Sequence, residues 1–275
     1  MVSIRSNFIT CRFLAALVAV VILLPAVTTS ADDVKAREIM QKVEDLDDGD
    51  NRITEMEMVL IDKKGNERIR RTRTHRKDKD KDTLKLMFFL HPPNVKNAGF
   101  LTYDYDNPDK DDDQWLYLPA LKKSKRIAST DKSKSFMGSD FSYSDMTSRN
   151  LEDYDFKLLK TQTVGDKEAW LIECLPKTDE VVEETGYTKS LLFIRQDNHV
   201  VIRAVHFVKE GSKLKYMDVK KLELIGNIWM ATEIHMTTKK GKTTLHKTVL
   251  KHHDVKFNQD LDESFFTVRR LEKGL

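Results

Sequence analysis

The chain has 275 residues, with 47 Lys and Arg against 44 Asp and Glu and only two cysteines, Cys11 and Cys174. Arg5 and Arg12 are the only charged residues before Asp32. Without them the count is 45 basic to 44 acidic groups, too even for the concentrated basic footprint of a nucleic-acid binder. A chain of this length buries an ordinary core and does not depend on a disulfide framework.

The first segment reads as an export signal. Phe13 to Leu24 is an unbroken apolar run between a basic start and Pro25, followed by the small residues Thr28, Thr29, Ser30 and Ala31. That is the n-region, h-region and cleavage zone of a secretory signal, so residues 1–31 are expected to be removed and residues 32–275 to form the working domain. The run is shorter than the roughly 20 residues a spanning helix needs. Cys11 precedes it and so does not sit at a lipidation site.

From Val34 to Asp45, Val34, Ile39, Val43 and Leu46 recur at helical spacing and predict one short amphipathic helix. The Asp47-Asp48-Gly49-Asp50 stretch ends it. The period then changes to two. Thr54, Met56, Met58 and Leu60 share one strand face, Lys63-Lys64-Gly65-Asn66 is a turn, and Arg68–Thr74 returns as the second arm of a hairpin. Leu84, Leu86, Phe88 and Leu90 alternate next and stop at Pro92-Pro93. Ten further strands are expected near 99–105, 114–118, 124–129, 156–164, 169–175, 188–195, 200–208, 214–224, 228–238 and 243–255. The turns between the later ones are Gly165-Asp166-Lys167, Gln196-Asp197-Asn198, Glu210-Gly211-Ser212 and Lys239–Lys242. Short turns make such strands antiparallel. The region 132–153, with Phe136, Met137, Phe141, Tyr143 and Met146, is too apolar for a free loop and should fold back onto the sheet. The C-terminal 260–271 stretch, with Phe265 and Phe266, is expected to dock as a short helix.

The chemistry-bearing residues form no constellation. The acidic run Asp104–Asp113 has no glycine in register for a calcium loop. His252 and His253 point to opposite faces of a strand, and Gly138-Ser139-Asp140 has no second glycine for a nucleophile elbow. Cys174 alternates with Trp170 and Ile172 as a buried small hydrophobe. The expectation is a protein that is not an enzyme and uses no metal and no cofactor. What stands out instead is an excess of Met, Leu and Phe on single strand faces, side chains that adapt to variable ligands.

The segment Gly99 to Met146 carries a family likeness. Gly99-Phe100-Leu101-Thr102-Tyr103, then Gln114-Trp115-Leu116-Tyr117-Leu118-Pro119, Lys125-Arg126-Ile127 and Phe136-Met137-Gly138-Ser139-Asp140-Phe141 resemble the bacterial outer-membrane lipoprotein-sorting proteins. The likeness is to the LolA-like group associated with RND-type transporters, and it covers essentially the whole chain after the signal.

It implies a mainly β fold: a single half-open antiparallel β-barrel of about eleven strands, with short helices as a lid over the concave face. It also implies a periplasmic carrier that binds acyl chains of lipids or lipoproteins in a hydrophobic cavity and transfers them toward the outer membrane. An inner-membrane RND-type transporter and an outer-membrane acceptor are the implied partners, with no nucleic acid and no transmembrane span after signal removal. On that reading Met56, Met58, Leu60, Leu86, Phe88, Leu101, Tyr103, Leu116 and Leu118 form the wall, and Phe136, Met137 and Phe141 the lid. A register slip of one would exchange Leu116 and Leu118 for Trp115 and Tyr117. The rival reading is a β-domain that docks to an envelope transporter complex, its interior filled by its own side chains.

Overall fold

The structure, a computed structural model, describes residues 33–275, so the expected export signal lies outside the described residues. Helix α1 (Val34–Glu44) begins at Asp33, whose carboxylate accepts from the backbone N–H groups of Lys35 and Ala36. This cap satisfies two of the donors that a helix start leaves open. Its buried residues are Ala36, Ile39 and Met40.

Thirteen strands follow: β1 (Asn51–Asp62), β2 (Glu67–Lys79), β3 (Asp82–His91), β4 (Gly99–Asp104), β5 (Asp113–Leu118), β6 (Lys123–Arg126), β7 (Tyr154–Val164), β8 (Lys167–Pro176), β9 (Tyr187–Arg195), β10 (Val201–Val208), β11 (Lys213–Ile225), β12 (Ile228–Lys240) and β13 (Thr243–Phe257). Helix α2 (Asp179–Thr185) interrupts β8 and β9, and α3 (Val268–Lys273) ends the chain. The strand count exceeds the expected eleven; the alternating segments were all present in the sequence. Helix α2 was not expected, although Thr178 caps it and Gly186 closes it in the left-handed region.

All thirteen strands lie in one antiparallel sheet, ordered β6-β5-β4-β3-β2-β1-β13-β12-β11-β10-β9-β8-β7. Neighbours are consecutive in the chain except at β1 and β13, where Met58 pairs with Leu250 and Leu60 with Thr248. The sheet is not closed, which gives the half-open barrel-like architecture. Its free edges are β6 and β7. Edge strand β6 is four residues long and mostly basic, which discourages pairing with another chain.

The two edge strands are joined by residues 127–153, a run of short 3-10 turns at Ser129–Asp131, Phe136–Gly138, Ser144–Met146 and Leu151–Asp153. This segment packs on the same sheet face as α1. We call that face inner. Its apolar residues fall into two groups. One joins Met56, Met58, Leu60, Phe89, Phe100, Leu116, Met236 and Leu250 to Phe136 and Phe141. The other joins Ile172, Cys174, Leu192, Ile194 and Ala204 to α1, and Met217 touches both.

The outer face is also apolar over β3 to β5. There Leu84, Leu86, Phe88 and Leu101 are covered by Phe266 and Leu271 of the C-terminal segment, which docks as expected. The Tyr103 hydroxyl donates to the Phe266 carbonyl at 2.7 Å. Leu90 does not continue the alternation, because it is the extra residue where Thr72 pairs with Phe89 and Arg71 with His91.

Gly99 marks the closest approach of α3. A Cβ there would lie 2.5 Å from Leu271 Cδ1, with Phe88 as the next neighbour. Leu271→Ala is expected to cost about 2–5 kcal/mol. Gly99→Ala should cost about 1–3 kcal/mol alone through overpacking and much less in the Leu271→Ala background. Urea unfolding of the four-member cycle measures both, and additive effects would contradict the contact.

Candidate functional site

Eight of the twelve residues expected at the site come together on the inner face. Met56, Met58, Leu60, Leu116, Phe136 and Phe141 are buried in one cluster, with Leu118 and Met137 packed against it. The other four do not join them. Leu86, Phe88, Leu101 and Tyr103 lie on the outer face beneath the C-terminal segment. The physical reason is that β3 and β4 are apolar on both faces, so alternation alone does not say which row points inward. The pairing settles it: Met87, Phe100 and Leu116 form one row, and Leu86, Leu101 and Trp115 the opposite one. Leu116 and Leu118 therefore face inward, and Trp115 and Tyr117 outward. Phe89 and Phe100 are also buried in this cluster, and the sequence reading did not single them out for the site.

Phe136 is fully buried at the centre. Its ring lies 5.0 Å from Phe100, 6.3 Å from Phe89 and 5.5 Å from Tyr143, the last edge-on at 90°. Such pairs add about 0.5–1.5 kcal/mol each beyond burial. Met56, Met58, Met87, Met137, Met146, Met217 and Met236 surround this group. Thioether side chains without branching repack at little cost.

The segment 132–146 is held to the sheet by a few directed polar contacts. Asp140 is buried, and its carboxylate accepts from Thr238 Oγ1 at 2.5 Å, Thr248 Oγ1 at 2.7 Å and His246 Nδ1 at 2.7 Å. Its backbone N–H donates to Thr248 Oγ1 at 2.9 Å. The Arg70 guanidinium donates to the Met137 carbonyl, and Gln114 Nε2 donates to the Tyr143 carbonyl at 2.9 Å. Met137 has φ +50°, a left-handed conformation that costs a non-glycine residue about 1–2 kcal/mol.

Next to this latch is a buried polar cluster. The Asp145 carboxylate accepts from the Tyr187 hydroxyl and the Ser142 N–H, both at 2.8 Å, and pairs with Arg149 at 3.7 Å. Burial alone would raise its pKa, but Lys215, Arg149 and His206 together hold it below the usual carboxylate range. Burial depresses Lys215, whose Nζ donates to the Tyr187 hydroxyl at 3.2 Å. His206 stacks on Tyr187 at 4.6 Å, with its Nδ1 2.8 Å from Ser190 Oγ. Burial, then Arg149, pushes His206 down to about 3, so its ring is neutral at physiological pH. In the second apolar group burial lifts the Cys174 thiol to about 12, out of the nucleophilic range.

A cavity of about 820 Å3 opens beside these groups, bounded by α1 and the loop after it, the β2–β3 turn, residues 104–112, residues 144–154 and α2. It is lined largely by charged side chains. Among the described residues no helix is long and apolar enough to cross a membrane, and no group of three or more His, Cys, Asp or Glu is placed to hold a metal ion.

Several known proteins share this architecture. The structure of an outer membrane lipoprotein-sorting protein domain from Vibrio parahaemolyticus is similar at 29% identity and a TM-score of 0.78, over 86% of this chain and 98% of that one. A DUF1329 family protein from Desulfovibrio piger matches at 26% identity and a TM-score of 0.79, over 88% and 100%. A LolA superfamily protein from Nitrosomonas europaea shares the fold at 19% identity and a TM-score of 0.65, over 86% and 98%. No curated protein matches the chain.

The neutral His206 sets a pH dependence. The unfolded chain binds a proton near pH 6.5 that the folded chain refuses until about pH 3, so acid favours unfolding across that window. Between pH 7 and pH 4 the loss is about 3 kcal/mol from this residue. A His206→Gln variant should show a flatter stability profile over that range in urea titrations. An unchanged slope would mean that His206 is protonated in the folded protein.

A family model described as "Uncharacterized protein" matches residues 81–273. The chain belongs to the family that this model describes, one with the LolA-like fold of lipoprotein-sorting proteins.

Proposed function

We propose that this protein is a non-enzymatic periplasmic carrier that binds acyl chains of lipids or lipoproteins between the inner face and residues 132–146. On this reading residues 1–31 are the cleaved export signal, and transfer runs toward the outer membrane from an inner-membrane RND-type donor. The Vibrio relative, described as a lipoprotein-sorting domain, supports the choice of cargo class.

The observation that carries the proposal is the nature of the cover. The apolar inner face is closed by a segment without ladder hydrogen bonds to the sheet, whose buried aromatic side chains stand where a chain of methylenes would lie. A buried methylene is worth about 0.8 kcal/mol, so a sixteen-carbon chain brings about 13 kcal/mol. Phe136 and Phe141 in the same place contribute about 3–6 kcal/mol together by burial. An acyl chain therefore displaces the lid, and the lid's return favours release. Wall residues Met56, Met58, Leu60, Phe89, Phe100, Leu116 and Leu118 suit this exchange because apolar contact is non-directional.

The rival reading, a β-domain that docks to an envelope transporter complex without carrying lipid, is favoured by one observation. The inner face is filled by the protein's own side chains, and the cavity of about 820 Å3 is mostly polar.

A fluorescent fatty-acid probe separates the two. Uptake should be abolished by Phe100→Asp, which places a charge in the wall. Phe136→Ala should cost about 3–5 kcal/mol of stability yet tighten probe binding, since the lid competes less. Absence of uptake by the unmodified protein, with no lipid in organic extracts read by mass spectrometry, would favour the docking reading.

A further inference from the structure

We propose that the lysine-rich end of the sheet, formed by the β1–β2 and β12–β13 turns, docks this protein on a bilayer that contains anionic phospholipid. This inference goes beyond the carrier reading, because the surface is complete whatever the inner face binds.

Charge is unevenly distributed in a chain that is nearly neutral as a whole. Strands β1 and β13 are neighbours, with Ile61 opposite Lys247 and Asp62 opposite His246, so the turn after β1 and the turn before β13 lie side by side. Segments 61–70 and 238–247 together hold eight Lys and Arg against two acids, Asp62 and Glu67. Lys63, Lys64, Arg68, Lys240 and Lys242 are exposed, and Lys247 is half-buried. Among the described residues none of these six forms an ion pair, although their neighbours Arg71 and Lys213 do. The Asp62 carboxylate is occupied within its own turn, accepting from the N–H groups of Lys64 at 2.7 Å and Asn66 at 3.0 Å. The opposite end of the sheet is acidic. Arg52 at the start of β1 lies across from Arg76, which pairs with Asp48 and Asp78 at 2.9 Å. All three of these partners line the cavity of about 820 Å3, whose wall carries twelve carboxylates and four Lys or Arg. The length of β1, roughly 35 Å, separates the two ends. A charge separation of that length turns the basic end toward a negative surface and the acidic end away from it.

The composition of the basic end favours a bilayer over an acidic protein or a nucleic acid. Protein interfaces are depleted in Lys and enriched in aromatic side chains, and neither segment contains Phe, Tyr or Trp. The same composition leaves no platform on which a base could stack. Flexible ammonium side chains on turn tips suit a fluid layer of phosphates, where each raises the partition about 5-fold without demanding one geometry. The lid meets this end of the sheet. The Arg70 guanidinium donates to the Met137 carbonyl, and the Asp140 carboxylate accepts from Thr238 Oγ1 at 2.5 Å and His246 Nδ1 at 2.7 Å. Docking therefore brings the turn from Phe136 to Asp140 to the bilayer, the place where a carrier takes up or releases an acyl chain.

Co-flotation with lipid vesicles tests the assignment. Phosphatidylcholine vesicles carrying about 30% phosphatidylglycerol should bind the protein at low salt, and vesicles of phosphatidylcholine alone should bind at least about 10-fold more weakly. Raising the salt to about 1 M, where the Debye length is about 3 Å, should release it. Lys240→Gln combined with Lys242→Gln should weaken binding about 10-fold or more. Lys157→Gln combined with Lys160→Gln removes the same charge from exposed positions of edge strand β7 and should alter binding less than about 3-fold. No binding to the anionic vesicles, equal binding to both kinds, or an equal loss from the β7 pair would overturn the docking assignment. Uptake of the fatty-acid probe in solution, measured on the same preparation, shows separately whether the carrier reading stands.

Discussion

The connection between the two free edges of the sheet constrains everything else in this molecule. Strand β6 ends at Arg126 and β7 begins at Tyr154, and these consecutive strands lie at opposite edges of a sheet held together in its middle by the β1–β13 ladder. The chain between them must run from one edge to the other across the inner face. Beyond Ile127, whose N–H donates to the Gln114 carbonyl of β5 at 2.8 Å, such a segment has no ladder partner, so its hold on the sheet rests on side-chain packing and a few side-chain hydrogen bonds. Residues 127–153 accordingly carry aromatic and methionine side chains toward the apolar wall and satisfy their polar groups at a few points. Topology thus creates a cover that is separate from the sheet while covalently tied to both of its edges.

The energetics of that cover combine two kinds of interaction with different consequences. Apolar contact around Phe136 is large and non-directional, so another apolar body of similar size can replace it. The contacts of Asp140 with Thr238, His246 and Thr248 are directional and specify one closed position. A buried carboxylate that loses those donors pays the full desolvation penalty, which favours this one position of residues 132–146. Asp145, Arg149, Tyr187, His206 and Lys215 extend this polar framework toward the α1 side. Hydrogen-bonded polar groups in a low-dielectric interior rigidify what they touch. Residues 132–146 are therefore held by non-directional contact at Phe136 and by directional contacts on both flanks.

Much of the fold was legible in the sequence because strand alternation and turn chemistry are local. Most strands lie where a period of two occurs between Gly-, Asn- or Lys-rich turns, and the helical spacing of Val34, Ile39 and Val43 announces α1. The lid was legible because Phe136, Met137 and Phe141 are too apolar for a loop, and its role came from the resemblance carried by residues 99–146. The facing of β3 and β4 was not legible. Leu86 and Phe88 alternate as cleanly as Met87 and Phe89, and the outer row is apolar because Phe266 and Leu271, far along the chain, cover it. The contacts of Arg149 and Asp140 were not legible for the same reason: their partners, Ser190, Tyr187, Thr238 and Thr248, come from strands that only the sheet order brings near.

The central claim is that the lid and an acyl chain compete for one place on the inner face. Hydrogen exchange of the backbone amides, with and without a saturating long-chain lipid, tests it most directly. Opening exposes amides in proportion to the population of the displaced state. The account predicts faster exchange over residues 132–146 in the lipid-bound protein, while β1 to β5 stay as protected as before or become more so. Lipid binding that leaves residues 132–146 fully protected would contradict it.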